Sequence, residues 1–313
     1  MNARVDTLSR RTFLETGAAG AAMVAAAGHG NRRNVDGLIL IWLQGGLSQV
    51  DTFDPKPQSP GTIFRPIPTR LIGVQFSELL PCTAAIAHKL CVIRSMSHEH
   101  TTHEQAIHAM LTGCEIHDGL AATSFPSLFA GASAARNRMP AYVTDPGTSY
   151  TARLGFFGAG SRRRTPNPTP IANITGIMTR ADIRGDWGRR LTRARRLIEA
   201  GVRCVVVDDA GWDHHHDIAS AYRRRVPRLD RAFAALIDDL DVRGLLDRTR
   251  VMLLTEFGRC GALNDTRGRE ASGTAFSVVL AGGGLPRGKV IGRTDATGAR
   301  VTHDPITPAD LFV

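Results

Sequence analysis

The chain alternates between continuous apolar runs and segments whose apolar residues recur at helical spacing. Gly37 to Leu43 (Gly-Leu-Ile-Leu-Ile-Trp-Leu) carries no charged side chain and leads into Gly45-Gly46. A run of that length without alternation predicts a strand buried on both faces. Leu90 to Ile93, Ala141 to Thr144, Val202 to Val207, Val251 to Thr255 and Phe276 to Ala281 read the same way. Between them, helices are predicted over Ser77 to His88, Thr102 to Leu111, Asp186 to Ala200 and Ile218 to Val242. In the last, Val226, Leu229, Phe233, Ile237 and Leu240 fall on one stripe. Gly244 can close that helix, and Pro227 should kink it or mark its true start. Strands alternating with helices predict an α/β domain, its central sheet mostly parallel and flanked by helices. Ligand sites in such sheets form beyond the C-terminal ends of the strands, so the polar residues that follow each run are the ones to inspect.

Residues 1–27 do not fit this pattern. Ser9-Arg10-Arg11-Thr12-Phe13-Leu14 precedes a short Ala/Gly-rich apolar run, and Ala25-Ala26-Ala27 offers small residues to a signal peptidase. This is the make-up of an export signal, and the paired arginines resemble the twin-arginine type. The expectation is a body of residues 28–313 carried by the twin-arginine translocase to the periplasm or cell surface, with no stable membrane span after processing. Tyr150 to Asp182, rich in Arg, Pro, Thr and Asn, reads as a long loop or insertion.

The formal net charge is +10, and removing the signal leaves the body basic. The dense runs, Arg162-Arg163-Arg164, Arg223-Arg224-Arg225 and the Arg189 to Arg196 segment, are not interleaved with aromatic residues that could stack bases, so nucleic acid is not expected as a partner. The five cysteines, Cys82, Cys91, Cys114, Cys204 and Cys260, form no Cys-x-x-Cys pair, which argues against a disulfide scaffold or a thiolate zinc site.

Four segments that follow predicted strands carry reactive groups. After Gly45-Gly46 come Ser48, a candidate nucleophile, and Asp51 and Asp54, hard oxygen ligands. Arg94 to Glu104 holds Ser95, Ser97, His98, His100 and His103, with Thr101 and Glu104 at capping-box spacing. His103, in the first turn of the predicted helix, suits oxyanion binding or metal ligation. Asp208-Asp209-Ala210-Gly211-Trp212-Asp213-His214-His215-His216-Asp217 packs carboxylates and imidazoles directly after a buried strand, the O/N donors that zinc, manganese or iron accept. Finally, Glu256 leaves a strand end ahead of Gly258 and Arg259, the latter suited to an oxyanion.

Taken together, Gly45-Gly46 through Asp51-Thr52-Phe53-Asp54-Pro55-Lys56-Pro57, the His103 helix with Thr112-Gly113, Leu197 to Val202 running on to Gly211-Trp212-Asp213-His214-His215, Thr255-Glu256-Phe257-Gly258-Arg259 and Ser277 to Asp295 resemble the bacterial DUF1501 family, common in Planctomycetes. The resemblance implies an alkaline phosphatase-like or sulfatase-like fold with a metal site at the strand ends. Where the family pattern reads Gly-Arg-Asp-His-Trp, this chain has Gly268-Arg269-Glu270-Ala271-Ser272, so Ala271 stands at the expected His. The segment at 151–185 is shorter than in relatives, and Asp310-Leu311-Phe312-Val313 stops where the family pattern continues as a helix. The reading that results is an exported, metal-dependent hydrolase-like protein acting on phosphate or sulfate esters, with an anionic small molecule or glycan as substrate. Asp51, Asp213, His215 and Glu256 are the expected ligands of a divalent ion (zinc, manganese or iron). Ser48, His103 and Arg259 are the candidate catalytic residues. The alternative is a degenerate, non-catalytic member that binds a metal or an anionic ligand.

Overall fold

The structure is a computed structural model; it describes residues 35–115, 123–132, 139–145, 169–170 and 186–312. The expected export signal and nearly all of the 151–185 segment lie outside the described residues.

In chain order the strands are β1 (Gly37–Leu43), β2 (Pro66–Pro68), β3 (Gln75–Ser77), β4 (Leu90–Met96), β5 (Tyr142–Asp145), β6 (Thr169–Pro170), β7 (Cys204–Asp209), β8 (Thr249–Leu254), β9 (Gly258–Arg259), β10 (Ala271–Ser272), β11 (Phe276–Gly282), β12 (Lys289–Ile291), β13 (Arg293–Thr294) and β14 (Val301–His303). The helices are α1 (Pro81–Ala85), α2 (His103–Thr112), α3 (Phe125–Gly131), α4 (Trp187–Glu199) and α5 (Ile218–Val242). An eight-stranded sheet runs in the order β12-β4-β11-β8-β1-β7-β5-β6. β11 pairs antiparallel with both β4 and β8, and every other pairing in this sheet is parallel.

β1 lies at the centre, between β7 and β8, and all seven of its residues are buried. Because strand side chains alternate, Ile39, Ile41 and Leu43 enter one core and Leu38, Leu40 and Trp42 the other. The first core is covered by α1, α4 and α5, the second by α2 and α3. The six apolar runs predicted as strands are strands, as a two-faced sheet requires.

Three local expectations change. The helix expected over Ser77 to His88 is reduced to α1 and a single tight turn, Ala87–Lys89, after β3 ends at Ser77. Pro81 disfavours a helical residue before it, and Leu80 has φ −119° and ψ 44°. α2 starts at His103, not through a Thr101/Glu104 capping box: its N-cap is Thr102, whose hydroxyl donates to Gln105 Oε1 at 2.9 Å. α5 runs unbroken through Pro227, which sits at a partly exposed position where water can reach the carbonyl left without a donor. Among the described residues no helix is long and apolar enough to cross a membrane.

Candidate functional site

Three neighbouring parallel strands, β7, β1 and β8, end side by side, and the polar segments that follow them meet. Gly45 lets them approach: its φ is +120°, and a Cβ there would fall 2.2 Å from the Asp213 nitrogen. No L side chain fits that gap. Glu256 is fully buried, and its Oε1 accepts from the Gly45 N–H (2.7 Å) and faces Nδ1 of His103 at 2.8 Å. Thr255 ties the same two loops, donating to the Leu43 carbonyl (2.9 Å) and accepting from the Leu47 N–H (3.0 Å).

Two imidazoles are held alike. His103 turns Nε2 to Asp213 Oδ2 at 3.4 Å, while His215 turns Nε2 to Asp213 Oδ1 at 2.9 Å. Behind each ring stands a glutamate on Nδ1: Glu256 for His103 and Glu270 for His215, both at 2.8 Å. The side chains of His103, Asp213 and His215 are 39%, 42% and 38% exposed, so this is the open part of the cluster.

The electrostatics follow from those contacts. The hydrogen bond to Glu256 raises the His103 pKa, with burial opposing it. Burial pushes the Asp213 carboxyl up, but Arg259, aided by His215 and His103, more than reverses this and holds it below the ordinary carboxylate range. The neighbouring His214 is driven down to about 4 by burial and by Arg225 and Arg259.

Arg259 is fully buried, which leaves it no open face for an ester oxyanion. Its guanidinium donates to the carbonyls of Gly45, Gly46 (3.2 Å) and Arg269 (3.0 Å), and to Asp213 Oδ1. Gln49, also buried, receives the Arg259 N–H at 3.0 Å and donates to its carbonyl at 2.8 Å. Arg259 thus clamps the three loops together and orients Asp213.

Ser48 and Asp51 belong to a separate buried network. Ser48 Oγ donates to Asp51 Oδ2 at 2.6 Å, and Arg269 grips both carboxylate oxygens, at 2.8 and 3.0 Å. Asp51 is 1% exposed and Arg269 0%, so neither Ser48 nor Asp51 reaches the open cluster. Asp54 is likewise engaged, by Lys56, Arg94 and Thr294. The Ser95 hydroxyl donates to the Asp304 carbonyl at 2.6 Å. His98 Nε2 lies 2.7 Å from the Glu256 carbonyl oxygen, and His100 Nε2 3.2 Å from Glu115.

The structure therefore gathers His103, Asp213, His215, Glu256 and Arg259 and leaves Ser48 and Asp51 apart. Sequence reasoning missed Glu270, Gln49 and Arg269 as parts of the assembly. Glu270 lies in a short turn with no strand or periodic pattern to mark it, and a fully buried Arg has the same sequence signature as an exposed one.

Whether these donors suit a divalent cation can be judged from their geometry. Among the described residues, no three His, Cys, Asp or Glu side chains are grouped so as to hold a metal ion as they stand. The donor types are those a divalent cation accepts, and each imidazole has Nδ1 held by a glutamate as ligand histidines do, while both Nε2 atoms are paired with Asp213 as the chain stands. The three open side chains have the exposure needed to adjust.

The fold is shared with the C-terminal periplasmic domain of EcEptC from Escherichia coli, solved in complex with Zn, at 13% identity, a TM-score of 0.51, and coverage of 90% of this chain and 81% of that one. Also similar are the PsFucS1 sulfatase from Pseudoalteromonas sp. (13% identity, TM-score 0.48, 96% and 76% of the two chains) and a protein in the alkaline phosphatase superfamily from Vibrio parahaemolyticus (12%, 0.49, 97% and 78%). No curated protein sequence matches this one. A family model covers nearly all of the chain outside its first 35 residues, matching 36–163 and 167–313. The chain belongs to that family, described as protein of unknown function (DUF1501).

Proposed function

We propose that this protein is an exported hydrolase of phosphate or sulfate esters that works with a divalent cation held by His103, His215 and Asp213. The observation that carries the reading is the convergence of two Nε2 atoms on one carboxylate, at 3.4 and 2.9 Å, with both Nδ1 atoms engaged by glutamates. A cation bound there supplies Lewis-acid polarisation of the ester and lowers the pKa of a bound water.

The chain's own residues have distinct tasks. Glu256 holds the His103 ring by its Nδ1 and so keeps Nε2 turned to Asp213. Asp213, kept ionised by Arg259, offers a carboxylate between the two rings. The Ser48 and Ser95 hydroxyls are bonded elsewhere, and a water activated by the cation is the nucleophile assigned in this reading. The Zn complex of the EcEptC domain and the periplasmic origin of that domain lend support to a cation and to export for this chain.

A non-catalytic member that binds a cation or an anionic ligand is the second reading, and Ala271, which offers no donor beside Glu270, favours it. The two separate on one assay: hydrolysis of 4-nitrophenyl phosphate and 4-nitrophenyl sulfate by the metal-loaded protein. Turnover that chelation abolishes and His103→Ala removes supports the hydrolase. Metal binding without turnover on either ester class supports the binding protein.

A further inference from the structure

We infer that the outer face of α4 and α5 is a docking surface for a chain-like polyanion, a sulfated or phosphorylated polysaccharide whose esters the open cluster cleaves. That the bound chain is the substrate rests on the hydrolase reading; the surface itself does not. The two dense arginine runs, Arg189 to Arg196 and Arg223-Arg224-Arg225, lie on these helices, which flank β7 in the chain. Both helices bury one side in the first core, α4 through Leu191, Ala194 and Leu197 and α5 through Val226, Leu229 and Phe233. Arg189 and Arg196 on α4, and Arg224, Arg228 and Arg231 on α5, are exposed at helical spacing, so each set forms one outward stripe. Each stripe is about 10 Å long, and packed helices stand about 8–10 Å apart. Among the described residues, none of these five side chains is held in an ion pair.

The stripes adjoin the open cluster. Asp209, the last residue of β7, receives Arg190 of α4 on one oxygen (3.2 Å) and Arg225 of α5 on the other (2.7 Å), so the two helices begin side by side at the strand end. Arg225 also lies over the Trp212 ring, 4.9 Å from its centroid, and Asp213 is the next residue. Asp186 and Asp217 cap the helices there, accepting the N–H groups of Arg189 (3.2 Å) and Ser220 (3.3 Å). At the far end the acidic groups of α5 are matched: Asp238 and Asp241 by Lys89 (2.9 and 2.8 Å), and Asp239 by Arg195 (2.8 Å) and Arg243 (2.7 Å). Unmatched positive charge is thus concentrated on the half of the face nearest the cluster. A guanidinium offers a planar fork to the oxygens of a phosphate-type ester. Charges spread over two helices match anions repeated along a chain rather than one small anion. The aromatic residues of the two helices, Trp187, Tyr222 and Phe233, are buried, which leaves none there to stack bases. Among the described residues the exposed large hydrophobics are Ile72, between β2 and β3, and Val242, at the far end of α5, so the stripes carry no apolar wedge for a bilayer.

The test is binding of the full chain to dextran sulfate, uncharged dextran, a DNA duplex and phosphatidylglycerol vesicles across a salt series. Dextran sulfate is expected to bind and dextran not, with affinity falling steeply as salt rises. Joint replacement by Arg224→Gln, Arg228→Gln and Arg231→Gln should weaken dextran sulfate binding about tenfold or more and flatten its salt dependence. Adding Arg189→Gln and Arg196→Gln should remove most of what remains. Arg243→Gln with Arg287→Gln, which removes matched charges at the far end, should bind as wild type does. Equal dextran sulfate binding by wild type and the five-site variant overturns the inference, as does tighter binding of the DNA or the vesicles at the same salt. Arginine-dependent binding by a protein that hydrolyses neither nitrophenyl ester keeps the surface and removes the hydrolase reading. Ester hydrolysis without such binding keeps the hydrolase and removes the surface.

Discussion

His103 reaches Glu256 across 153 residues of chain, with Nδ1 2.8 Å from Oε1, and the same oxygen receives the Gly45 N–H at 2.7 Å. One carboxylate oxygen therefore joins the start of α2, the end of β8 and the turn after β1. The site cannot be opened at this point without exposing a buried charge or a buried donor.

Removing that oxygen should cost both stability and ligand geometry. Glu256→Ala leaves the Gly45 N–H without a partner, and a destabilisation of about 3 kcal/mol is expected. Glu256→Gln keeps an acceptor oxygen and should lose only about 1 kcal/mol. Urea unfolding measures both, and equal losses would show that the charge, not the hydrogen bond, matters.

The Asp51–Arg269 pair is predicted to serve the fold and not the ligand. Arg269→Met strands a carboxylate that is 1% exposed, which should cost roughly 3–5 kcal/mol. The folded fraction should bind zinc as wild type does. Loss of zinc with the fold intact would place Asp51 among the ligands.

Gly45→Ala is expected to lower stability by about 3 kcal/mol or more, because the new methyl meets the Asp213 backbone and the φ of +120° suits only glycine. Gly73, also at positive φ but with open space around its Cβ position, gives the control: its Ala variant bears the conformational cost alone. Equal losses at both positions would contradict the close approach of the two loops.

Acid should destabilise the protein earlier than its carboxylates alone would. His98, His108 and His214 are all pushed below 6.5, burial being the first cause in each, and His214 falls to about 4. Below 6.5 the unfolded chain takes protons that the folded one refuses, so this stability is present above that value and lost as the pH falls toward 4. His103, raised by Glu256, has the opposite sign and loses its contribution as the pH rises. The melting temperature should therefore drop between about 6.5 and 4, and His214→Gln should flatten the drop. A wild-type profile without that drop would contradict the burial of these imidazoles.

The sheet was legible because β1, β4, β7, β8 and β11 are buried on both faces and leave apolar runs in the sequence. The candidate cluster was legible as far as it follows strand ends: Asp213, His215 and Glu256 lie beyond β7 and β8, and His103 opens α2. Asp51 misled because a carboxylate after a Gly-Gly turn reads alike whether it faces a cation or a guanidinium. Its partner, Arg269, lies 218 residues away. Arg259 misled for the same reason: the sequence records its charge, while its burial against Gly45, Gly46 and Asp213 arises only when the three loops meet.

The most direct test of the central claim is the metal content of the purified protein, by elemental analysis after equilibration with zinc, manganese and iron in turn, beside an Asp213→Ala variant. Asp213 is 42% exposed, and without it Arg259 keeps its carbonyl partners, so the variant should fold. A stoichiometric cation is expected in wild type and none in folded Asp213→Ala. A well-folded wild type that retains none of the three metals, or a variant that retains as much as wild type, would contradict it.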